Sequence, residues 1–251
     1  MEYYATAAQV YAGGLVFARL GAMVMLIPGF GDDAVPPRIR LSFALLMALL
    51  ITPIVASNVG APPGSVSGLA GAVIREVLVG LMIGTILRAL TAALNVAGEI
   101  ISIQTTLSFA QTVDPSLGTQ TNAVGSFLSL LGVMLIMTTD LHHLFLGATV
   151  RSSSLFPFTQ PVAVDDAVTL MIRTVADAFA LGVQLAAPII VFSLVLNVAV
   201  GLISRVMPQF QIFFVTSPLS VLMGLSILAL GLGIIGVVWA DRHRTLLQVF
   251  N

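Results

Sequence analysis

The chain has 251 residues, 58% hydrophobic and only 8% charged, with a mean hydropathy of +1.07; a soluble domain usually carries roughly 25% charged residues, so a soluble globular fold is not expected. It contains no cysteine, which removes disulfides, thiolate metal sites and cysteine nucleophiles. A formal net charge of −1, with arginine as the sole basic residue besides histidine, argues against nucleic acid as a partner.

Six apolar runs read as helices, each judged against the ~20 residues needed to span hydrocarbon. They cover residues 10–28, 41–57, 69–98, 123–148, 167–203 and 219–240. Before the first, the stretch from Met1 to Val10 has an acid and no basic region, so a cleaved signal peptide is not expected. Arg19 stands in the middle of the first run with no acid beside it in sequence. A central arginine costs ~2.5 to 3.5 kcal/mol on insertion scales, so a partner from another helix or from water is expected. Pro28-Gly29, Gly31-Asp32-Asp33 and Pro36-Pro37 mark the first break, and Pro62-Pro63-Gly64 marks the second.

The third run is too long for a simple span. At 1.5 Å per residue it would extend ~45 Å, and the fifth run ~55 Å, against a hydrocarbon core of ~30 Å. Along the third run Glu76, Gly80, Gly84, Arg88, Ala92, Asn95 and Glu99 step by three or four residues. Gly80 and Gly84 form a GxxxG pair that lets a neighbouring backbone approach closely. This small-and-polar stripe is expected to meet protein rather than lipid. Arg75-Glu76 reads either as a pair at the interface near a helix start or as buried charge needing a partner from another helix.

The stripe leads into the most informative stretch, Gly98 to Thr121 (GEIISIQTTLSFAQTVDPSLGTQT). Hydroxyl and amide side chains dominate it, Glu99 and Asp114 charge it, and Pro115 and Gly118 break any helix late in it. Irregular polar backbone at membrane depth survives only buried in protein or lining a wet cavity. The segment is therefore read as a pore element or plug.

The fourth run carries Asp140 with His142 and His143. Adjacent histidines on a helix point ~100° apart, and no Cys or HExxH arrangement accompanies them, so no metal site is expected. Ser152, Ser153 and Ser154 follow, but sequence proximity does not make a triad. Asp165-Asp166 is read as an N-cap pair for the fifth run, Arg173 and Asp177 as a solvated i,i+4 pair, and Pro188 as a kink. Asn197, Gly201 and Arg205 recur every four residues at its end, where a cation suits the backbone dipole. Gly231, Gly233 and Gly236 spell GxGxxG inside an apolar run, without the strand or the distant acid of a dinucleotide site, and read as helix packing. Six-span alternation puts Arg38, Arg40 and Arg205 on one side and Arg151, Arg242 and Arg244 on the other. That tie gives no orientation by the positive-inside rule.

Four places, in order along the chain, resemble the FliR family, the membrane export-gate subunit of flagellar and related type III secretion systems. They are Ile27-Pro28 with Val35-Pro36-Pro37-Arg38-Ile39-Arg40-Leu41; Glu76-Val77-Leu78-Val79-Gly80; Ala97-Gly98-Glu99-Ile100 to Leu107-Ser108-Phe109-Ala110 and Val113-Asp114-Pro115; and Ala187-Pro188 through Asn197, Gly201, Leu202 and Arg205 to Pro208-Gln209. The chain departs from the family at Leu141, where a small residue usually precedes the histidine. The resemblance implies one all-helical domain over 1–251, with bent and paired helices raised out of the bilayer, in the inner membrane at the flagellar basal body. It implies assembly with FliP-like and FliQ-like subunits, docking of FlhB-like and FlhA-like export components, and passage of unfolded proteins.

The family also places a plug loop on Gln104 to Thr121. Gln104, Thr105, Thr106, Leu107, Ser108, Phe109, Gln111, Asp114, Pro115 and Gln120 are the expected plug or channel residues. Arg19, Glu76, Gly80, Gly84, Arg88, Glu99, Asn197, Gly201 and Arg205 are the expected packing or buried-charge residues. No enzyme activity, cofactor or metal is expected. The alternatives are a virulence-type secretion gate, a small-solute transporter using the polar insert, and an intramembrane hydrolase using Asp114, Asp140 or the serines.

Overall fold

A computed structural model describes residues 7–32, 35–108, 122–158, 164–207 and 212–247. Among these residues there is no strand. The helices are α1 (Ala7–Val24), α2 (Pro37–Val55), α3 (Val66–Gln104), α4 (Ala123–Thr138), α5 (Leu141–Leu155), α6 (Val164–Val206) and α7 (Ile212–Leu247), with a 3₁₀ turn at Ala56–Asn58. Five are long and apolar enough to cross a membrane, or six spans if α4 and α5 count as one broken span. The chain is all-α and built for a membrane.

Local chemistry explains the boundaries. Pro36 precedes α2 in an extended conformation and Pro37 takes its first position, where the missing N–H costs nothing. The turn before α2 is held by side chains: Asp32 accepts from the Gly29 N–H at 2.9 Å, and the Arg40 guanidinium donates to the Val35 and Gly31 carbonyls at 2.8 and 3.0 Å. Gly29 adopts φ 85°, a conformation glycine takes without a Cβ penalty.

Two expectations are corrected. The apolar run 123–148 is not one helix: it stops at Thr138 and restarts at Leu141, because Asp140 sits in the left-handed region at φ 58°. Asp165 and Asp166 are not caps but lie in the first turn of α6, where carboxylates suit the helix dipole. Pro188 lies inside α6, and helix is assigned on both sides of it.

The chain divides into two compact units. The first comprises 1–89, 136–175 and 243–251, and the second 90–135 and 176–242. In the first, Leu15, Val16 and Leu20 of α1, Ala48, Ile51 and Val55 of α2, and Phe158 form a buried apolar cluster. Gly80 and Gly84 bring α3 against α1. A Cβ on Gly80 would strike the Arg19 carbonyl oxygen and lie 2.8 Å from the Ala22 Cβ, and one on Gly84 would lie 2.8 Å from the Leu26 Cβ. In the second unit, Trp239 is fully buried and its indole N–H donates to the Leu90 carbonyl at 2.9 Å. Gly98 of α3 there meets Gly125 of α4 so closely that an added Cβ would run into the Gly125 Cα.

The Gly98–Gly125 crossing leaves no room for a methyl group, whereas Gly71 on the same helix has open space. We expect Gly98→Ala to lower stability by about 1–3 kcal/mol, the usual range for overpacking, and Gly71→Ala to leave it unchanged or slightly improved. The midpoint of thermal unfolding of the detergent-solubilised protein measures both.

Candidate functional site

Two polar constructions stand out in an otherwise apolar chain, one in each unit. In the first, Arg19 is only 2% exposed and Glu76 is fully buried. Arg19 Nε donates to Glu76 Oε2 at 2.7 Å, and its Nη2 lies 2.6 Å from the same oxygen. Nη1 donates to the Ser152 carbonyl at 3.0 Å and Nη2 to the Phe156 carbonyl at 2.8 Å. Both carbonyls lie at the end of α5, where the backbone dipole favours a cation, and the Ser152 carbonyl also accepts from the Phe156 N–H at 2.9 Å. The Phe158 ring lies 4.1 Å from the guanidinium carbon, a cation–π contact. The second Glu76 oxygen accepts from Arg75 Nε and Nη2 at 3.2 and 3.0 Å. All three guanidinium nitrogens of Arg19 and both oxygens of Glu76 are thus engaged.

The second construction surrounds the root of the polar segment. Asn122, just before α4, is its centre. Its Nδ2 donates to Glu99 Oε2 at 2.8 Å. Its Oδ1 accepts from the Ser102 hydroxyl at 2.5 Å and from the Val124 and Gly125 N–H groups at 3.1 Å each. Asn122 is therefore an N-cap for α4 and a bridge to the last turns of α3. One turn away, the Ser129 hydroxyl donates to Asn95 Oδ1 at 2.7 Å.

The end of α3 is held equally firmly. The Gln104 Oε1 accepts from the buried Ser193 hydroxyl at 2.8 Å, and Asn197 Nδ2 reaches the same hydroxyl at 3.4 Å. Thr105 is 1% exposed; its hydroxyl donates back to the Ile101 carbonyl at 2.8 Å and its methyl presses on Gly224. Thr106 adopts φ 61°, a genuine outlier for a β-branched residue, and its hydroxyl is 3.2 Å from that of Ser217 in α7. Ser108 N–H returns to the Ser102 carbonyl at 3.2 Å. Strained backbone of this kind persists only where surroundings over-determine it, and it clusters at functional segments.

The remaining expected residues fall as follows. Leu107 and Ser108 are half-buried. Phe109, Gln111, Asp114, Pro115 and Gln120 lie outside the described residues. Arg88 and Glu99 are exposed on α3; Asn197, Gly201 and Arg205 are exposed on α6, with Arg205 in its last turn. Arg173 and Asp177 are exposed. Ser153 and Ser154 donate their hydroxyls to backbone carbonyls of their own helix at 2.8 and 2.7 Å. Sequence reading missed Asn122 and Ser193. An asparagine directly before an apolar run was the available N-cap signal for the first; no local pattern marks the second.

The family model described as bacterial export proteins, family 1, matches residues 10–246. A flagellar biosynthetic protein FliR of Caulobacter vibrioides is 61% identical over 251 residues, covering all of both chains. This chain belongs to the FliR family of bacterial export proteins. The FliR of Bacillus subtilis is 29% identical over 227 residues, covering 89% of this chain and 87% of that one. The FliR of Escherichia coli is 31% identical over 136 residues, covering 54% and 52%. The family match takes in both polar constructions, from Arg19 through Asn122 to Ser217.

Removing one partner of a buried ion pair costs about 3–5 kcal/mol, because it strands the other charge. Arg19→Leu and Glu76→Leu should each therefore collapse the thermal stability of this FliR-family chain. The double substitution should destabilise by less than the sum of the two. A double-mutant cycle on unfolding midpoints reads the coupling; strict additivity would show that the pair is energetically idle.

Proposed function

We propose that this chain is a non-enzymatic subunit of the flagellar type III protein-export gate in the bacterial inner membrane. In this reading it works as one export-gate domain, assembles with FliP-like and FliQ-like subunits, and meets FlhB-like and FlhA-like export components. Its segment Gln104 to Thr121 is the plug that seals a passage for unfolded flagellar proteins. Full-length identity to a flagellar FliR supports the flagellar setting over a virulence system.

The observation that carries the plug reading is the tied neck. Asn122 bridges to Glu99 and Ser102, so the chain leaves α3 and re-enters α4 through one hydrogen-bonded crossing. A segment anchored at both ends can change its own conformation without unpicking the helices that carry it. The anchoring atoms are uncharged apart from Glu99, and the segment itself is rich in hydroxyls and amides. Such groups offer hydrogen bonds without a fixed charge, which suits a conduit that must pass many sequences and hold none. Gating is then a local, bistable repacking drawn from the low-stability end of the molecule.

Deleting residues within 109–118 while keeping Asn122, Glu99 and Ser102 should leave the gate complex assembled but leaky to ions. Membrane conductance, or dissipation of an imposed ion gradient in cells carrying the complex, measures this. A deletion that assembles and stays as tight as the parent overturns the plug assignment.

A further inference from the structure

The break between α4 and α5 carries a group of side chains that the gate reading does not use. Asp140, His142 and His143 each offer a ligand atom, and these three atoms lie within 4.8 Å of one another. Among the described residues, no other group of three His, Cys, Asp or Glu side chains comes so close. We propose that this corner is a binding site for a divalent transition metal of the zinc class, with two imidazoles and one carboxylate as ligands and water in the remaining position.

The geometry places an ion pair at a spacing that a metal could share. His143 Nδ1 stands 3.5 Å from Asp140 Oδ1, beyond the 2.7–3.2 Å usual for a hydrogen bond. Two ligands each ~2.0–2.1 Å from one tetrahedral zinc lie about 3.3 Å apart. The spacing of this pair is therefore close to that of two ligands on one ion. The rings of His142 and His143 have centroids 4.1 Å apart, so the second imidazole is beside the first.

His142 carries the outer contact that metal-binding histidines commonly show. Its Nδ1 is 3.3 Å from the Ile136 carbonyl, one of the terminal carbonyls of α4. With a proton on Nδ1 facing that carbonyl, Nε2 is the nitrogen left to meet an ion. Asp140 and His143 are 78% and 69% exposed at the side chain, so both are open to an ion and free to close the last ångström. Imidazole with one carboxylate suits zinc, nickel or copper; calcium and magnesium prefer all-oxygen shells. Asp140, in the left-handed region, stands at the break itself. It precedes the restart of the helix at Leu141, and its carboxylate lies one turn from His143.

The full chain, purified in its membrane complex with an affinity tag that contains no histidine and stripped with chelator, is titrated with Co²⁺ and then Zn²⁺. The expected result is saturable binding of one ion per chain, with a Co²⁺ visible spectrum that Zn²⁺ displaces. His143→Gln and Asp140→Gly keep the turn, since glycine accepts φ 58° without strain. Each should weaken binding at least about 10-fold, the lower end of what even an outer-shell change costs a metal site. Asp140→Gly should at the same time leave thermal stability in the absence of metal equal or higher. No saturable binding in the parent, or unchanged binding in both variants, overturns the proposal.

Discussion

Taking an ionised arginine out of water costs several kcal/mol, and the first unit is arranged around that constraint at Arg19. Glu76 alone would not suffice, because it leaves guanidinium hydrogens unspent. The Ser152 and Phe156 carbonyls take them at the end of α5, the Ser152 carbonyl accepting from the Phe156 N–H as well. Phe158 then closes over the cation while packing into the cluster of Leu15, Leu20 and Ile51. One side chain thereby ties α1 to α3, to the end of α5 and to the apolar core. Gly80 and Gly84 are part of the same solution: only without Cβ atoms can α3 come near enough to α1 for Glu76 to reach Arg19.

The second unit meets the same rule with amides and hydroxyls, Glu99 being the charged partner in that network. Its polar atoms cluster where a helix ends and another begins, the places where backbone N–H and C=O groups lack partners. Asn122 satisfies two N–H groups of α4 and reaches across to Ser102 and Glu99. Gln104, Ser193 and Asn197 form a short relay from α3 to α6. The outcome is a hydrogen-bonded collar around the end of α3 and the start of α4. Thr106, at φ 61°, stands where α3 gives way to that segment.

Much of the remaining surface is apolar. Leu45, Leu46, Leu49, Leu50 and Ile54 of α2 face outward, as do Leu194, Val195, Val198, Leu202 and Ile203 of α6. In water such faces would aggregate; among lipid tails and neighbouring hydrophobic subunits they are the expected exterior. Arg88 and Glu99 interrupt that exterior on α3, and Arg205 does so at the end of α6. Charges placed this way demand an aqueous or protein counterpart, which accords with a chain that works inside an assembly.

The class of protein is legible in the sequence alone. Hydropathy called for long helices, two of them longer than an untilted span needs, and the hydroxyl-rich interruption after Glu99 stood out as the stretch lipid would reject. Those are one-dimensional properties, since burial in hydrocarbon depends on composition over a window of about 20 residues. The pairing of Arg19 with Glu76 was not legible, because 57 residues separate them and only the α1–α3 approach at Gly80 joins them. Nor was the break at Asp140, where an apolar run reads as continuous but a single left-handed residue ends it. Asn122 gave a local hint as an N-cap, yet its bridge to Glu99 and Ser102 exists only because Gly98 and Gly125 let α3 and α4 touch. Sequence alone determined what must avoid water and what must not be left in lipid. Tertiary structure decided which polar group answers which, because a hydrogen bond is set by distances of about 3 Å that no spacing along the chain encodes.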